Sequence, residues 1–233
     1  MKLQQLYSKV RKCVDRYHMI SEGDKIALGV SGGKDSLALL YALAGLRTFY
    51  PEKFEVVAIT IDLGYEGFDL SRIQALCDKL QVEYHIVKTQ IGEMIRDEGC
   101  SLCARLRKGA LHDKAKELGC NKIAYAHNMD DVVETMMLSL IYEGRFCSFW
   151  PVTHLDTLEM DLIRPFTLVT QAEAVGFSHK FDLPVTSNPC PFDHASERTY
   201  VRELIADINR HAPGVNKRFM TAITDGTIEN WKY

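Results

Sequence analysis

Apolar residues recur along this chain with two periods, and stretches of the two alternate. Residues 1–20 repeat at helical spacing, with Val10, Val14 and Tyr17 beside Lys9, Arg11, Lys12 and Arg16, which predicts a basic amphipathic helix. Its charges suit either a solvated face or an RNA-facing one. Lys25–Val30 is an apolar run of strand length, and Asp35–Arg47 returns to helical spacing. Phe54–Ile61, Glu83–Val87, Lys122–Ala126 and Asp161–Arg164 predict further strands, with helices at Asp69–Leu80, Leu106–Leu118 and Asp131–Tyr142. Gly119 and Gly144 stand where a left-handed residue closes a helix, and Thr170-Gln-Ala-Glu173 is a capping box that opens another. Repeated strand–helix units of this length predict an α/β fold, a doubly wound and mostly parallel sheet with helices on both faces. Ligands of such sheets sit at the carboxyl ends of the strands, where the strand order reverses.

The composition fits that picture and narrows the compartment. The chain has 233 residues, 46% of them hydrophobic and 25% charged, enough to bury a core without disulfide staples. It reads as a single domain over 1–233: an N-terminal helix over 1–20, a nucleotide-binding core over 21–175 and a C-terminal region over 176–233. The formal net charge of −3 argues against a protein that coats a polyanion, while leaving room for a local basic face. An odd seven cysteines, with no leader sequence and no long apolar run, predict a cytoplasmic protein without membrane association. Cysteine in that compartment is buried filler, a metal ligand or a catalyst.

The first strand runs into Ser31-Gly32-Gly33-Lys34-Asp35-Ser36, and a helix follows. The two glycines let backbone amides approach phosphate oxygens, Ser31 and Ser36 offer hydroxyls, Lys34 offers charge, and the helix start favours an anion. This is not a Walker A loop, which needs Gly before the Lys and Ser or Thr after it. Asp35 in a phosphate loop repels the anion unless Mg²⁺ lies between them, so it predicts a metal-bridged pyrophosphate. The string resembles the PP-loop (N-type) ATP pyrophosphatase signature. That resemblance implies an adenine nucleotide alpha hydrolase-like fold and cleavage of ATP to AMP and pyrophosphate. It also places the end of the second strand, with Ile61 and Asp62, against the nucleoside; Asp62 suits a ribose hydroxyl and a loop cap equally. At the fourth strand end, His127-Asn128-Met129-Asp130-Asp131 is explained by helix capping on its own terms. The resemblance instead makes it the family's His-x-x-Asp-Asp element, with His127, Asp130 and Asp131 beside the triphosphate, Asp35 and Asp130 catalytic, and Asp130 or Asp131 joining Asp35 on Mg²⁺.

Cys100-Ser-Leu-Cys103 is a Cys-x-x-Cys pair, and Cys190 stands between two prolines far along the chain. Three cysteines from two loops can hold three corners of an iron–sulfur cubane and leave one iron open. Zinc is the competing reading, since His194 lies four residues past Cys190 and would complete a Cys₃His site. Cys13, Cys77, Cys120 and Cys147 lack ligand spacing and read as packing residues, Cys147 in a loop. The run Cys100–Gly109, the His127-x-x-Asp-Asp element, Ile163-Arg164-Pro165, and Cys190 followed by Val201–Asp207 together resemble the tRNA 2-thiocytidine synthetase (TtcA) family over most of the chain. The resemblance implies an ATP- and Mg²⁺-dependent tRNA sulfur transferase with a [4Fe-4S] cluster on Cys100, Cys103 and Cys190. It implies a sulfur donor such as a cysteine desulfurase or free sulfide, and it allows a homodimer. Two departures stand out. Asn128-Met129 replaces the family's His-Arg pair, and Pro191-Phe192-Asp193 stands where a second Cys-x-x-Cys is common.

Arg105, Arg107 and Lys108 follow the cysteine pair, with Arg107 one helical turn past Cys103 and therefore a candidate catalytic group. Arg198, Arg202 and Arg210 recur near helical spacing after Cys190. Both sets suit a solvated helix face; the alternative is that Arg105, Lys108, Arg198 and Arg202 bind RNA phosphates around a base unstacked for chemistry.

Overall fold

The computed structural model describes residues 1–65, 67–94, 99–186 and 197–226, with the backbone alone at Gly99 and Cys100. Among them, six strands form one sheet: β1 (Asp24–Gly29), β2 (Phe54–Asp62), β3 (Glu83–Lys88), β4 (Lys122–Ala124), β5 (Val152–Leu155) and β6 (Met160–Ile163). The order is β3-β2-β1-β4-β6-β5, parallel throughout except where β5 pairs antiparallel with β6. The helices are α1 (Leu3–Arg16), α2 (Lys34–Leu46), α3 (Ser71–Leu80), α4 (Ile91–Met94), α5 (Gly99–Glu117), α6 (Met129–Leu138), α7 (Gln171–Lys180), α8 (Glu197–His211) and α9 (Val215–Asp225).

The apolar runs of the central strands are continuous because both sheet faces are covered. Ile26 and Leu28 of β1, with Val56 and Ala58 of β2, face a core shared with α1, α2, α3 and α7. Ala27, Val57 and Ile59 point the other way, onto Leu111 and Ala115 of α5. Helix α2 is apolar nearly all round, since it lies between the sheet and α1 and α7. Helices α6, α8 and α9 form smaller clusters around Val132, Val133, Val201 and Met220. Strand order runs from β1 outward through β2 to β3 on one side and through β4 on the other. The connections after β1 and β4 therefore diverge and open a crevice at their carboxyl ends.

Four elements depart from the periodicity. Helix α5 begins about two turns before the predicted Leu106, so the Cys-x-x-Cys pair is helical, not in a loop. Its first turns have little local signature and are held by tertiary contact: Cys103, Leu102 and Leu106 pack with Leu63 and Ile91. The edge strand β5 was not predicted, because Val152-Thr-His-Leu155 is short and mixed; it makes Asp161–Arg164 the sixth strand. Strand β4 stops at Ala124, which frees residues 125–128 to turn into the crevice. Helix α6 ends at Leu138 and continues as a π-helical turn, Ser139–Glu143, before Gly144 at φ +66.

Candidate active site

A cavity of about 680 Å³ fills the crevice, a size suited to a nucleotide. Its walls come from the end of β1 and the phosphate loop (Gly29, Val30, Ser31, Gly33, Asp35, Ser36) and from β2 and its exit (Ile59, Ile61, Asp62, Leu63, Tyr65, Phe68). Helix α5 contributes Ala104, Arg107, Lys108 and Leu111, and Tyr125, Ala126, His127 and Thr186 close it.

The loop is shaped by its own side chains. Ser36 Oγ donates to Gly33 O (2.9 Å) and accepts from Ser31 N (3.2 Å), while Ser31 Oγ accepts from Gly33 N (3.3 Å). The two hydroxyls expected to bind phosphate thus also fold the loop. Gly32 has φ +82, a conformation that side chains rarely adopt, and its carbonyl accepts from Thr186 N at 3.0 Å. No side chain caps the start of α2 at Gly33, so its first amides remain available to an anion.

Lys34 Nζ pairs with Asp35 Oδ2 at 2.8 Å, so the loop carries its own counter-charge. The other oxygen, Asp35 Oδ1, accepts from Asn128 Nδ2 at 3.3 Å. Asn128 is buried and uses all its polar groups. Its Oδ1 caps α6 by accepting from Asp130 N and Asp131 N, and its backbone N donates to Asp131 Oδ2 at 2.9 Å. Asp35 and Asp131 are thereby held near one another from the first turns of α2 and α6. Burial raises the Asp131 pKa, and the like charges of Glu134 and Asp35 raise it further. Two neighbouring carboxylates fit a hard divalent cation.

Asp130 is placed otherwise. Its Oδ1 accepts from Asn216 Nδ2 and its Oδ2 from Gln171 N, each at 2.7 Å, so it ties α6 to α9 and α7. Both Asp130 oxygens are thus engaged by structural donors, whereas Asp131 lies near Asp35. Asp62 lines the cavity while its Oδ1 accepts from Gly64 N at 2.9 Å, which is loop capping.

His127 is pushed down to about 4, first by burial and then by Arg164, Arg198 and Lys108. Its ring stacks on Phe149 at 4.3 Å between centroids, and its buried Nδ1 has no hydrogen-bond partner among the described residues. The Arg164 guanidinium lies over Phe149, 5.1 Å from its centroid, and burial lowers it to about 10. Tyr125 is pushed up to about 12 by burial, and its Oη shares a hydrogen bond with His112 Nε2. Tyr125, Phe149 and Thr186 were not singled out by the sequence; an aromatic immediately before the His127 element was the available signal.

The basic residues divide. Arg107 and Lys108 line the cavity, whereas Arg105 is exposed and does not. Arg202 forms a two-point pair with buried Glu134 (2.9 and 3.2 Å), and Arg198 approaches the same carboxylate at 4.0 Å. Arg202 thus ties α8 to α6. On α1, Lys9 pairs with Glu173, Arg11 with Asp15 and Arg16 with Asp225. Cys103 is buried on α5, one residue before cavity-lining Ala104. Cys190 and His194 lie outside the described residues, as does the Cys100 side chain. Cys13, Cys77 and Cys120 are buried, and burial drives the Cys13 thiol up to about 11; Cys147 is exposed.

Comparison with known proteins places this geometry. The PP-loop domain family matches residues 2–208. The tRNA-cytidine(32) 2-sulfurtransferase of Geobacter sulfurreducens is 35% identical over 229 residues, spanning 93% of this chain and 89% of that one. The enzyme of the same name from Citrifermentans bemidjiense is 35% identical over 226 residues, 94% of this chain and 89% of its own. Among solved structures, the U34-tRNA thiolase NcsA from Methanococcus maripaludis with its [4Fe-4S] cluster superposes with a TM-score of 0.79 at 25% identity, over 94% of this chain and 76% of that one. The NH3-dependent NAD synthetase of Campylobacter jejuni shares the fold alone, with a TM-score of 0.54 at 16% identity. Phosphate loop, opposed carboxylates and cysteine-bearing helix converge with these matches, and the chain belongs to the PP-loop family and, within it, to the tRNA-cytidine 2-sulfurtransferases.

Proposed function

We propose that this enzyme is an ATP-dependent sulfur transferase that converts a cytidine of tRNA, position 32 by analogy with its relatives, to 2-thiocytidine in the cytoplasm. The observation that carries the reading is that the phosphate loop with Asp35 and helix α5, the helix that bears Cys103, wall one cavity. One wall activates and the other supplies sulfur. The base O2 attacks the α-phosphorus of ATP, the bond to the β-phosphate bridging oxygen breaks, and pyrophosphate leaves. Sulfide-level sulfur then adds at C2, and AMP departs with the former O2.

The chain's own groups divide the work. The amides at the start of α2 receive phosphate oxygens, and Lys34 exchanges its Asp35 partner for phosphate. Asp35 and Asp131 are the carboxylates suited to hold Mg²⁺, which offsets phosphate charge. Arg107 and Lys108 face the cavity with charge that stabilises the anion developing on the α-phosphate. His127, neutral across the physiological range, orients by hydrogen bonding and not by charge. Cys103 packs against Leu63 and Ile91, an apolar setting that fits a cluster ligand; Cys100, Cys103 and Cys190 would hold a [4Fe-4S] cluster, which would supply an open coordination site for sulfur. The sulfur itself comes from a desulfurase or from free sulfide.

The test is anaerobic incubation with ATP, Mg²⁺, sulfide and tRNA, followed by mass spectrometry of the nucleosides. The expected product is 2-thiocytidine with the native protein. Cys103→Ser is expected to retain ATP binding and lose thiolation. A Cys103→Ser enzyme that still thiolates would overturn the division between the two walls.

A further inference from the structure

The segment between the π-helical turn and β5 leaves its aromatic rings in solvent. Phe146 is 69% exposed and Trp150 74%, with Tyr142 on the turn before them at 53%. Large exposed rings grouped in one segment mark a binding surface more often than chance. The segment is firmly attached. Arg164 Nη1 donates to Trp150 O (2.6 Å) and to Thr153 Oγ1 (3.2 Å), and Ser148 Oγ donates to Val132 O (2.7 Å). Phe149 is held by stacking with His127 and by the Arg164 guanidinium over its ring. Because His127 lines the cavity, the aromatic series starts at the adenylation site and runs outward to Trp150.

Positive charge gathers at the same place. Lys108, Arg164 and Arg198 all act electrostatically on His127, and Arg107 and Arg164 on Tyr125. In a chain of net charge −3 this is a local concentration, and it complements phosphates. Rings that stack bases beside cations that hold the backbone are the means by which proteins bind single-stranded nucleic acid. Leu140 and Ile141, exposed on the preceding turn, would suit a second copy of the chain instead. A two-fold interface there would bring the cationic mouth against its own equivalent, which favours RNA.

We propose that Phe146 and Trp150 form a stacking seat for unpaired tRNA bases that flank the one entering the cavity. The proposal rests on the tRNA reading above and adds where the loop of the RNA lies.

Full-length protein carrying Trp231→Phe leaves Trp150 as the single indole of the two in the chain. It is titrated with a hairpin comprising an anticodon stem and loop, and with the blunt duplex of the stem alone. The expected result is quenching of Trp150 fluorescence by the hairpin and little by the duplex. Phe146→Ala/Trp150→Ala is expected to weaken hairpin binding tenfold or more, with ATP affinity and sedimentation unchanged, and Trp150→Phe to restore most of it. Hairpin binding unaffected by the double substitution overturns the seat, and so does a change in oligomeric state that assigns the surface to a second copy. Native protein that binds no hairpin takes the tRNA reading down with it, whereas binding that ignores Phe146 and Trp150 removes the seat alone.

Discussion

Neighbouring acids at the start of α6 have separate fates. Asp131 shares Asn128 with Asp35 and feels its charge, while Asp130 braces α7 and α9. Asp131→Asn is expected to raise the Mg²⁺ or Mn²⁺ concentration needed for adenylation by tenfold or more, with thermal stability nearly unchanged; Mn²⁺ binding followed by electron paramagnetic resonance checks the metal directly. Asp130→Ala should do the reverse, costing about 1–3 kcal/mol of stability through two stranded donors while leaving metal affinity close to native. The sequence presents these residues as an equivalent pair. Their difference depends on Gln171 and Asn216, far along the chain, which no local pattern connects to them. His127 also carries a pH signature. Its pKa falls from 6.5 unfolded to about 4 folded, so the unfolded chain binds the extra proton between those values. Stability should therefore fall as pH drops through that window, by roughly 3 kcal/mol in all, and level off below it. Denaturant midpoints at pH 7 and pH 5 should show this fall in the native protein and its loss in His127→Gln.

Elements were most legible where burial on both faces left an unbroken apolar run. Strands β1 and β2 and helix α2 follow the periodicity to within a residue or two. The start of α5 and the edge strand β5 did not, because contacts with Leu63 and Ile91 in one case and hairpin pairing in the other supply what local sequence lacks. At the amino ends of β1 and β4, opposite the cavity, Lys122 Nζ meets Asp24 Oδ2 at 3.0 Å and donates to Met19 O at 2.9 Å. Lys122→Ala leaves a buried carboxylate without its cation and should cost about 3–5 kcal/mol, read as a lower thermal midpoint. ATP affinity under folding conditions should stay native, since this pair holds the strands at the end remote from the nucleotide. Asp24→Leu/Lys122→Met should recover much of the loss.

At the scale of the molecule, alternating strands and helices point to the doubly wound sheet, and the phosphate loop points to its switch point. What the alternation does not convey is how the C-terminal helices are used. Helix α8 is fixed to α6 through the Arg202–Glu134 pair and α9 through Asn216–Asp130, so the helix that carries Asp131 is gripped from behind. The charge of Arg202 is legible in the sequence, whereas the buried Glu134 that meets it is not. No described helix is long and apolar enough to cross a membrane.

The bond from Thr186 N to Gly32 O gives the phosphate loop a neighbour with a second allegiance. Cys190 follows Thr186 by four residues, a stretch of chain that reaches no more than about 14 Å. The phosphate loop thus fixes the chain at Thr186, a short way before Cys190 in the sequence, so a substitution that distorts the left-handed turn at Gly32 also releases Thr186.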